Sequence, residues 1–517
     1  MNLSMLLDIP ASIVPDDVVL VDEHGQRTYG DLAQAAAKVA ALLTELGVDP
    51  GDRVGVLATN RVASIEILFG TAAYGAAVVP MNFRAKETEL AHLLADSGAK
   101  VVFTEGRYLP LVRSVAPEGL GEVLVVDGPT YAARRDAAEA EDLAVVTAMS
   151  DVDDDDLAIL LYTSGTTALP KGVVLTHGGL TGYVLGTTEC ADGTPHGRTL
   201  LAAPLHHVAG VTSTLSSIYS GRTTVLLPQF GAGAWLEAVE RHGVTHAFVV
   251  PTMLARILEH PDLRERDLSS LELVTYGAAP MPPPVIRRAL DAFPKTVGFS
   301  CAYGQTETTA TVSVLTVEDH RIEGTVDEVE AKLRRLSSVG RPLDDVEIRV
   351  VDQSGVPVGP GVPGDVQLRT SRTMKGYWGD AGAGRTTVDD EGWVHTGDLG
   401  SLDEGGYLFL GGRSGGMIIR GGENIAPEEV EVILFEHPDV IDAAVVGLPD
   451  EEWGEIVGAA VVARPGSGLD EGTLRELCAT HLAGGKRPEA FLFVDDLPRT
   501  VTGKLVRRDL VPLFEGS

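Results

Sequence analysis

Apolar positions recur at helical spacing between residues 28 and 47. Leu32, Ala36, Val39, Leu42 and Leu43 share one face, Thr28 is placed to cap the start, and Gly47 ends the run. The pattern then alternates. Arg53 to Ala58 reads as a strand, Ser64 to Tyr74 as a helix, Ala76 to Pro80 as a strand, and apolar runs at 101–103 and 123–126 continue the series. This rhythm predicts an α/β architecture with largely parallel sheets. The acidic run Asp151 to Asp156 reads as a solvated linker into another buried strand, Leu157 to Leu161. From about Val346 the texture changes to short strands, Val346 to Val351 and Asp365 to Arg369, between Gly/Pro turns. A compact α+β unit follows Arg413, with a helix near Pro427 to His437 and strands at Ala443 to Val446 and Ala459 to Ala463. The fold class expected is a multidomain α/β protein. A large N-terminal domain, 1–414, would carry a β-rich subdomain at about 345–412, and a small mobile α+β domain would span 415–517.

Composition narrows the picture. A chain of 517 residues exceeds what one hydrophobic core serves. No apolar run reaches the roughly 18 residues a membrane span needs, and the first residues lack the basic segment of a signal peptide. Cys190, Cys301 and Cys478 are scattered without metal or redox spacing, which suggests buried thiols in a reducing cytoplasm. A formal net charge of −33 disfavours nucleic acid and anionic membranes as partners. A protein this acidic that binds a polyphosphate must gather its basic residues locally.

The richest chemistry follows the strand ending at Leu161. In the string Tyr162-Thr163-Ser164-Gly165-Thr166-Thr167-Ala168-Leu169-Pro170-Lys171-Gly172, hydroxyls, exposed amides and one lysine could wrap a polyphosphate. It is not the common P-loop, because Pro170 precedes the lysine and Gly172 follows it. Taken alone, such a loop is more often just a turn. The spacing resembles the phosphate loop of the adenylate-forming superfamily, which includes acyl-CoA synthetases, peptide-synthetase adenylation domains and luciferases.

Further strings occur in that family's order from about residue 16 to 511: Tyr276-Gly277-Ala278-Ala279-Pro280, Tyr303-Gly304-Gln305-Thr306-Glu307, Thr396-Gly397-Asp398, Gly412-Arg413, Gly421-Gly422-Glu423-Asn424, and Pro498-Arg499-Thr500-Val501-Thr502-Gly503-Lys504. By resemblance, Thr163, Ser164, Gly165, Thr166, Thr167 and Lys171 hold phosphates. Ala278 and Tyr303 lie by the adenine, Thr306 meets the α-phosphate, and Glu307 helps hold Mg²⁺. The resemblance makes Asp398 and Arg413 the ribose contacts, Gly415 the hinge, and Gly421, Gly422 and Glu423 the loop used with coenzyme A. Lys504 is the lysine of adenylation. The cofactors and partners implied are ATP (or a supplied acyl-adenylate), Mg²⁺, coenzyme A and a small carboxylic acid. The expected location is the cytoplasm, and the expected state a monomer or homodimer. An anion attacking a phosphoryl centre needs such a grouping of metal and donors to neutralise charge as it builds.

The acyl pocket implied includes His207, Val208, Gly277 and Gly304, with His207 beside the substrate carboxylate. Between Pro204 and Gly221 there is no aspartate of the kind amino-acid-activating members use, and no Arg or Lys to pair a dicarboxylate. Gly, Ala, Val, Ser and Thr dominate, which suits an apolar acid and leaves room for a bulky one. With no carrier domain after Lys504, free coenzyme A is the acceptor expected. The chain also departs from the family pattern: Ala168 stands where glycine is expected, Gly415-Gly416 replace a polar pair, and Gly485 replaces an aromatic. If position 168 needs a positive φ, its methyl costs about 1–2 kcal/mol. That leaves two other readings: a ligase impaired in adenylation that mainly thioesterifies a supplied acyl-adenylate, and a non-catalytic acyl or nucleotide binder.

Overall fold

The computed structural model describes residues 1–163, 169–380, 387–413, 416–421, 423–450, 452–499 and 505–515, with Arg413, Glu423, Asn424 and Glu515 described by backbone alone. Among these residues the strands form sheets of nine, six, five and four. The six-stranded sheet runs 123–125, 101–104, 53–57, 77–80, 157–163, 171–176. Its first five strands are parallel and the last is antiparallel. The nine-stranded sheet has a parallel centre, Val18–Asp22, Thr223–Leu226, Arg198–Leu201, His246–Val249, Leu273–Gly277 and Gly298–Gln305. Antiparallel strands close both of its edges. The expectation of largely parallel sheets therefore holds at the centres and fails at the margins.

Helix Tyr29–Glu45 starts as its sequence predicts: Thr28 accepts from the Asp31 amide, and the Asp31 carboxylate accepts from the Thr28 amide. Helix Val62–Tyr74 is buried nearly all round, so it shows no polar face. A Cβ at Gly70 would lie 2.5 Å from Ala36 O, so glycine is what allows these two helices to cross. Their apolar faces and that of helix Val208–Tyr219 make one core with both large sheets.

Strands Glu347–Val351, Gly364–Arg369, Val394–Leu402 and Leu408–Arg413 form the four-stranded antiparallel sheet. The C-terminal sheet is built on the long hairpin Val440–Asp450 and Gly454–Ala463, with helices Pro427–Phe435 and Glu471–His481 over its own core. It meets helices Pro251–Glu259 and Pro283–Ala292 through charge: Arg287 to Glu436 at 2.7 Å, Arg256 to Asp496 at 3.3 Å, and Glu259 shared by Arg288 and Arg464. Cys301 and Cys478 are buried thiols, and burial pushes Cys301 up to about 12. Cys190 is only half-buried, which corrects the expectation for that residue.

Candidate active site

The strand read before the phosphate loop, Leu157–Thr163, turns back into Lys171–Thr176, so the loop joins a hairpin. Thr163 and Lys171 face each other across its mouth. Ser164, Gly165, Thr166, Thr167 and Ala168 lie outside the described residues, as do Gly415, Gly422 and Lys504. The segment 374–380 lies against the hairpin: Tyr377 bridges to Val173, and the Trp378 amide donates to Gly172 O at 2.8 Å. Lys171 Nζ sits 5.2 Å from the centre of the Tyr377 ring and 3.7 Å from Asp380.

On its other side the Tyr377 hydroxyl donates to Glu307 Oε1 at 2.8 Å, and the Met374 amide donates to Glu307 O at 2.8 Å. One ring therefore separates the lysine from the carboxylate. Among the described residues no cluster of three His, Cys, Asp or Glu could hold a metal ion alone. A single carboxylate nevertheless fits Mg²⁺ that arrives on a polyphosphate, since that ion keeps waters and phosphate oxygens as its main ligands.

A second group forms where strand Gly298–Gln305 meets the four-stranded sheet. The Tyr303 hydroxyl donates to Asp398 Oδ2 at 2.6 Å and Gln305 Nε2 donates to the same oxygen at 3.0 Å. Gln305 Nε2 also reaches Thr396 O at 2.9 Å. Asp398 is buried, and the Asp398 amide donates to Thr396 Oγ1 at 3.0 Å, which fixes the turn. In the pairing of the two strands Arg413 stands opposite Asp398. A carboxylate has about four acceptor positions, and Oδ2 of this one receives both a phenol and an amide.

The backbone around these groups is unusual. Among the described residues, the positive-φ positions that are not glycine are Ala278 (66°), Thr309 (54°) and Ala310 (112°). Ala278 follows the strand ending at Gly277, and Thr309–Ala310 follow Thr306 and Glu307. Such conformations cost roughly 1–3 kcal/mol each and cluster at functional sites.

Gly277 and Gly304, read from sequence as acyl-pocket positions, have a reason inside the sheet. A Cβ at Gly277 would lie 2.1 Å from Ala302 O, and one at Gly304 would lie 1.8 Å from Ala310 O. Strand approach alone demands glycine there. His207 is the residue before helix Val208–Tyr219, and its ring centre lies 4.4 Å from that of His206. Phe83 meets His206 edge-on at 5.2 Å. Burial, then the neighbouring His207 and Arg84, hold the His206 ring well below the usual histidine range, so it is neutral at pH 7. His206 lines a cavity of about 20 Å³ with Ser64, Met81, Leu205 and Val211.

The arrangement matches a family. The AMP-binding enzyme profile covers residues 9–378, and the profile of the AMP-binding enzyme C-terminal domain covers 429–504. The chain belongs to the AMP-binding enzymes. Its similarity to a feruloyl-CoA synthase of Amycolatopsis sp is 39% identity over 484 residues, 93% of each chain. A fatty acid–[acyl-carrier-protein] ligase, ScoC, of Streptomyces coeruleorubidus is 34% identical over 509 residues, 97% of this chain and 94% of that one. The solved structure of the amide bond synthetase McbA from Marinactinospora thermotolerans superposes with a TM-score of 0.84 at 31% identity, covering 99% of this chain and 100% of that one. Within the AMP-binding family the chain falls in the acyl-CoA synthetase branch, the AMP-forming acid–thiol ligases.

Gln305 and Tyr377 were not among the site residues read from sequence. Gln305 stood inside a string already singled out. For Tyr377 the available signal was the aromatic pair after a glycine in Met374-Lys375-Gly376-Tyr377-Trp378.

Proposed function

We propose that this protein is an acyl-CoA ligase that converts an apolar carboxylic acid, with space for a bulky one, to its coenzyme A thioester. The observation that carries this reading is the convergence of Lys171 and Glu307 on Tyr377, with Tyr303 and Gln305 on Asp398 nearby in the chain's sheets. In the first step the acid's carboxylate oxygen attacks the α-phosphorus of ATP, and pyrophosphate leaves with the electron pair of the bridging bond. Lys171 and the hydroxyls of residues 163–167 bind the departing phosphates, Thr306 donates to the α-phosphate, and Lys504 steadies the bridging oxygen and the carboxylate. Mg²⁺, held by Glu307 and the phosphates, supplies charge neutralisation when bound. Asp398 and Arg413 hold the ribose and Tyr303 the adenine in both steps.

The 415–517 unit then turns about Gly415, withdraws Lys504, and brings Gly421, Gly422 and Glu423 to the adenylate. The thiol of coenzyme A gives its proton to water, its sulfur bonds to the acyl carbonyl carbon, and the bond from that carbon to the phosphate oxygen breaks, its electron pair leaving with AMP. Helix Val208–Tyr219 supports the apolar assignment: no Asp, Glu, Lys or Arg occurs from Pro204 to Gly221, and His206 is neutral.

The test is a panel of hydroxycinnamic, arylacetic and C6–C16 fatty acids. Pyrophosphate exchange into ATP and CoA-thioester mass are both recorded, with a simple amine offered in place of coenzyme A in a parallel arm. Exchange and thioester with the same acid are expected. Thioester only from a supplied acyl-adenylate would mean a ligase impaired in adenylation. Amide without thioester would move the acceptor from thiol to amine. Neither activity, with nucleotide still bound, would leave a binder.

A further inference from the structure

The turn that carries Thr306 and Glu307 is held by a buried arginine that no string in the sequence singled out. Arg372 is 2% exposed and lies beneath residues 308–311. Its guanidinium donates to both oxygens of Asp345, Nε at 2.6 Å and an Nη at 3.1 Å. The same fork reaches Thr311 O at 3.2 Å and, more loosely, Thr308 O at 3.5 Å. The guanidinium lies 5.2 Å from the ring centre of Tyr183, whose hydroxyl contacts Thr311 Oγ1 at 3.3 Å. The main chain of Arg372 takes part as well, since Thr309 Oγ1 donates to its carbonyl at 2.5 Å. Two residues further on, Met374 binds Glu307 O.

These contacts surround the two consecutive residues, Thr309 and Ala310, that stand at positive φ. A side chain at φ 112° persists only where its surroundings over-determine it. Only the arginine of this ion pair is buried, the Asp345 side chain being 45% exposed, so the screened pair itself contributes little net stability. An apolar residue in the same space would leave the carbonyls of Thr308 and Thr311 without these donors. We propose that Arg372 is a positioning residue for adenylation: by pinning the strained Thr309–Ala310 turn from below, it fixes the direction in which Thr306 and Glu307 face the nucleotide. The inference rests on the reading of Thr306 and Glu307 as adenylation residues. Its mechanical half, the clamp on the turn, does not depend on that reading.

The experiment uses the full-length protein and the variants R372M, R372K and R372M/A310G, with hydrogen exchange of the 306–312 amides and both half-reactions measured on one panel acid. R372M is expected to raise exchange in 306–312 before any global change. It should also lower kcat for pyrophosphate exchange by about 100-fold, the scale of an ångström-sized misplacement, with KM for Mg·ATP and thioesterification of a supplied acyl-adenylate much less affected. R372K keeps the charge opposite Asp345 but cannot fork, so it should fold like the parent and still lose kcat; it decides the matter if R372M does not fold. Glycine at 310 accepts φ 112° without strain. The double variant should therefore regain at least tenfold in exchange rate. A merely structural arginine would lower both half-reactions together and show no selective rescue, which would overturn the proposal. Unchanged protection of 306–312 in a folded R372K or R372M would overturn the clamp itself, even in a protein inactive on every acid. Absence of pyrophosphate exchange in the parent, with the 306–312 amides loosened by R372M, would overturn the catalytic reading while the clamp stands.

Discussion

Asp398→Asn tests the proposed ribose contact apart from the fold that presents it. In the parent, Asp398 Oδ2 receives the Tyr303 hydroxyl at 2.6 Å and Gln305 Nε2 at 3.0 Å. A hydrogen bond to a charged group contributes roughly 1.5–3 kcal/mol and a neutral one roughly 0.5–1.5. Removing the charge while keeping the shape should thus cost about 1 kcal/mol in stability for each of these two bonds. The ligand loses more. A carboxylate can accept both ribose hydroxyls, whereas an amide offers one acceptor oxygen and turns its NH₂ toward the second. A loss of about 2–3 kcal/mol corresponds to roughly 30- to 150-fold in affinity for AMP. The assay is calorimetric titration of parent and D398N with AMP, 2′-deoxy-AMP and 3′-deoxy-AMP. The parent should discriminate against the deoxy nucleotides, and D398N should lose most of that discrimination, giving a coupling energy for each hydroxyl. A folded D398N that binds AMP as tightly as the parent, or a parent that binds all three nucleotides equally, would refute the assignment of Asp398 to the ribose.

Tyr377→Phe removes the donor to Glu307 and keeps the ring beside Lys171. Pyrophosphate exchange should fall by roughly tenfold, the equivalent of about 1.4 kcal/mol, with AMP affinity unchanged; equal exchange rates would detach Glu307 from this tyrosine. Burial first, and the nearby N-terminal amine in addition, push His177 down to about 4 from 6.5, and its Nδ1 accepts the Leu3 amide at 3.0 Å. The folded state resists protonation that the unfolded state accepts, so stability is full above about pH 6.5 and is lost as pH falls toward 4, by about 3 kcal/mol from this ring. Buried His206 acts in the same direction, and His177→Asn, with an amide oxygen in place of Nδ1, should flatten urea-measured stability against pH by about one proton. Ala168→Gly should raise pyrophosphate exchange by about tenfold per 1.4 kcal/mol of strain relieved and leave thioesterification nearly unchanged. Exchange that does not respond would show that the methyl at 168 costs nothing.

Local signals carried most of the elements. Thr28 marked one helix start, and strand and helix centres such as 53–57, 62–74 and 101–104 followed from apolar spacing. Strand direction was less legible, because an apolar run does not reveal whether its neighbour is parallel. Leu157–Thr163 and Lys171–Thr176 pair as a hairpin across the very loop that drew attention. The strings around Tyr303 and Asp398 could be named, yet their hydrogen bond spans residues 95 positions apart and arises only where two sheets meet. Gly277 and Gly304 show another gap: resemblance gave them a place in the acyl pocket, and only the structure shows that neighbouring backbone fills the volume a side chain would need.

The residues that sequence could not find share a physical character. Arg372 is a charge buried beneath a turn, Ala310 is an alanine in glycine's conformation, and Tyr377 stands between a cation and a carboxylate. Arg372 and Tyr377 have partners distant in the chain, and Ala310 holds a backbone conformation its own residue type disfavours. Propensity and periodicity describe what a segment would do alone, so they are silent about a conformation that only its surroundings enforce. A site that must meet charge as it develops needs groups held where they would not settle unaided. The strained turn after Glu307 and the arginine beneath it therefore belong to one explanation: the backbone stores the strain, Arg372 keeps it from relaxing, and the position of Thr306 and Glu307 is what the strain secures.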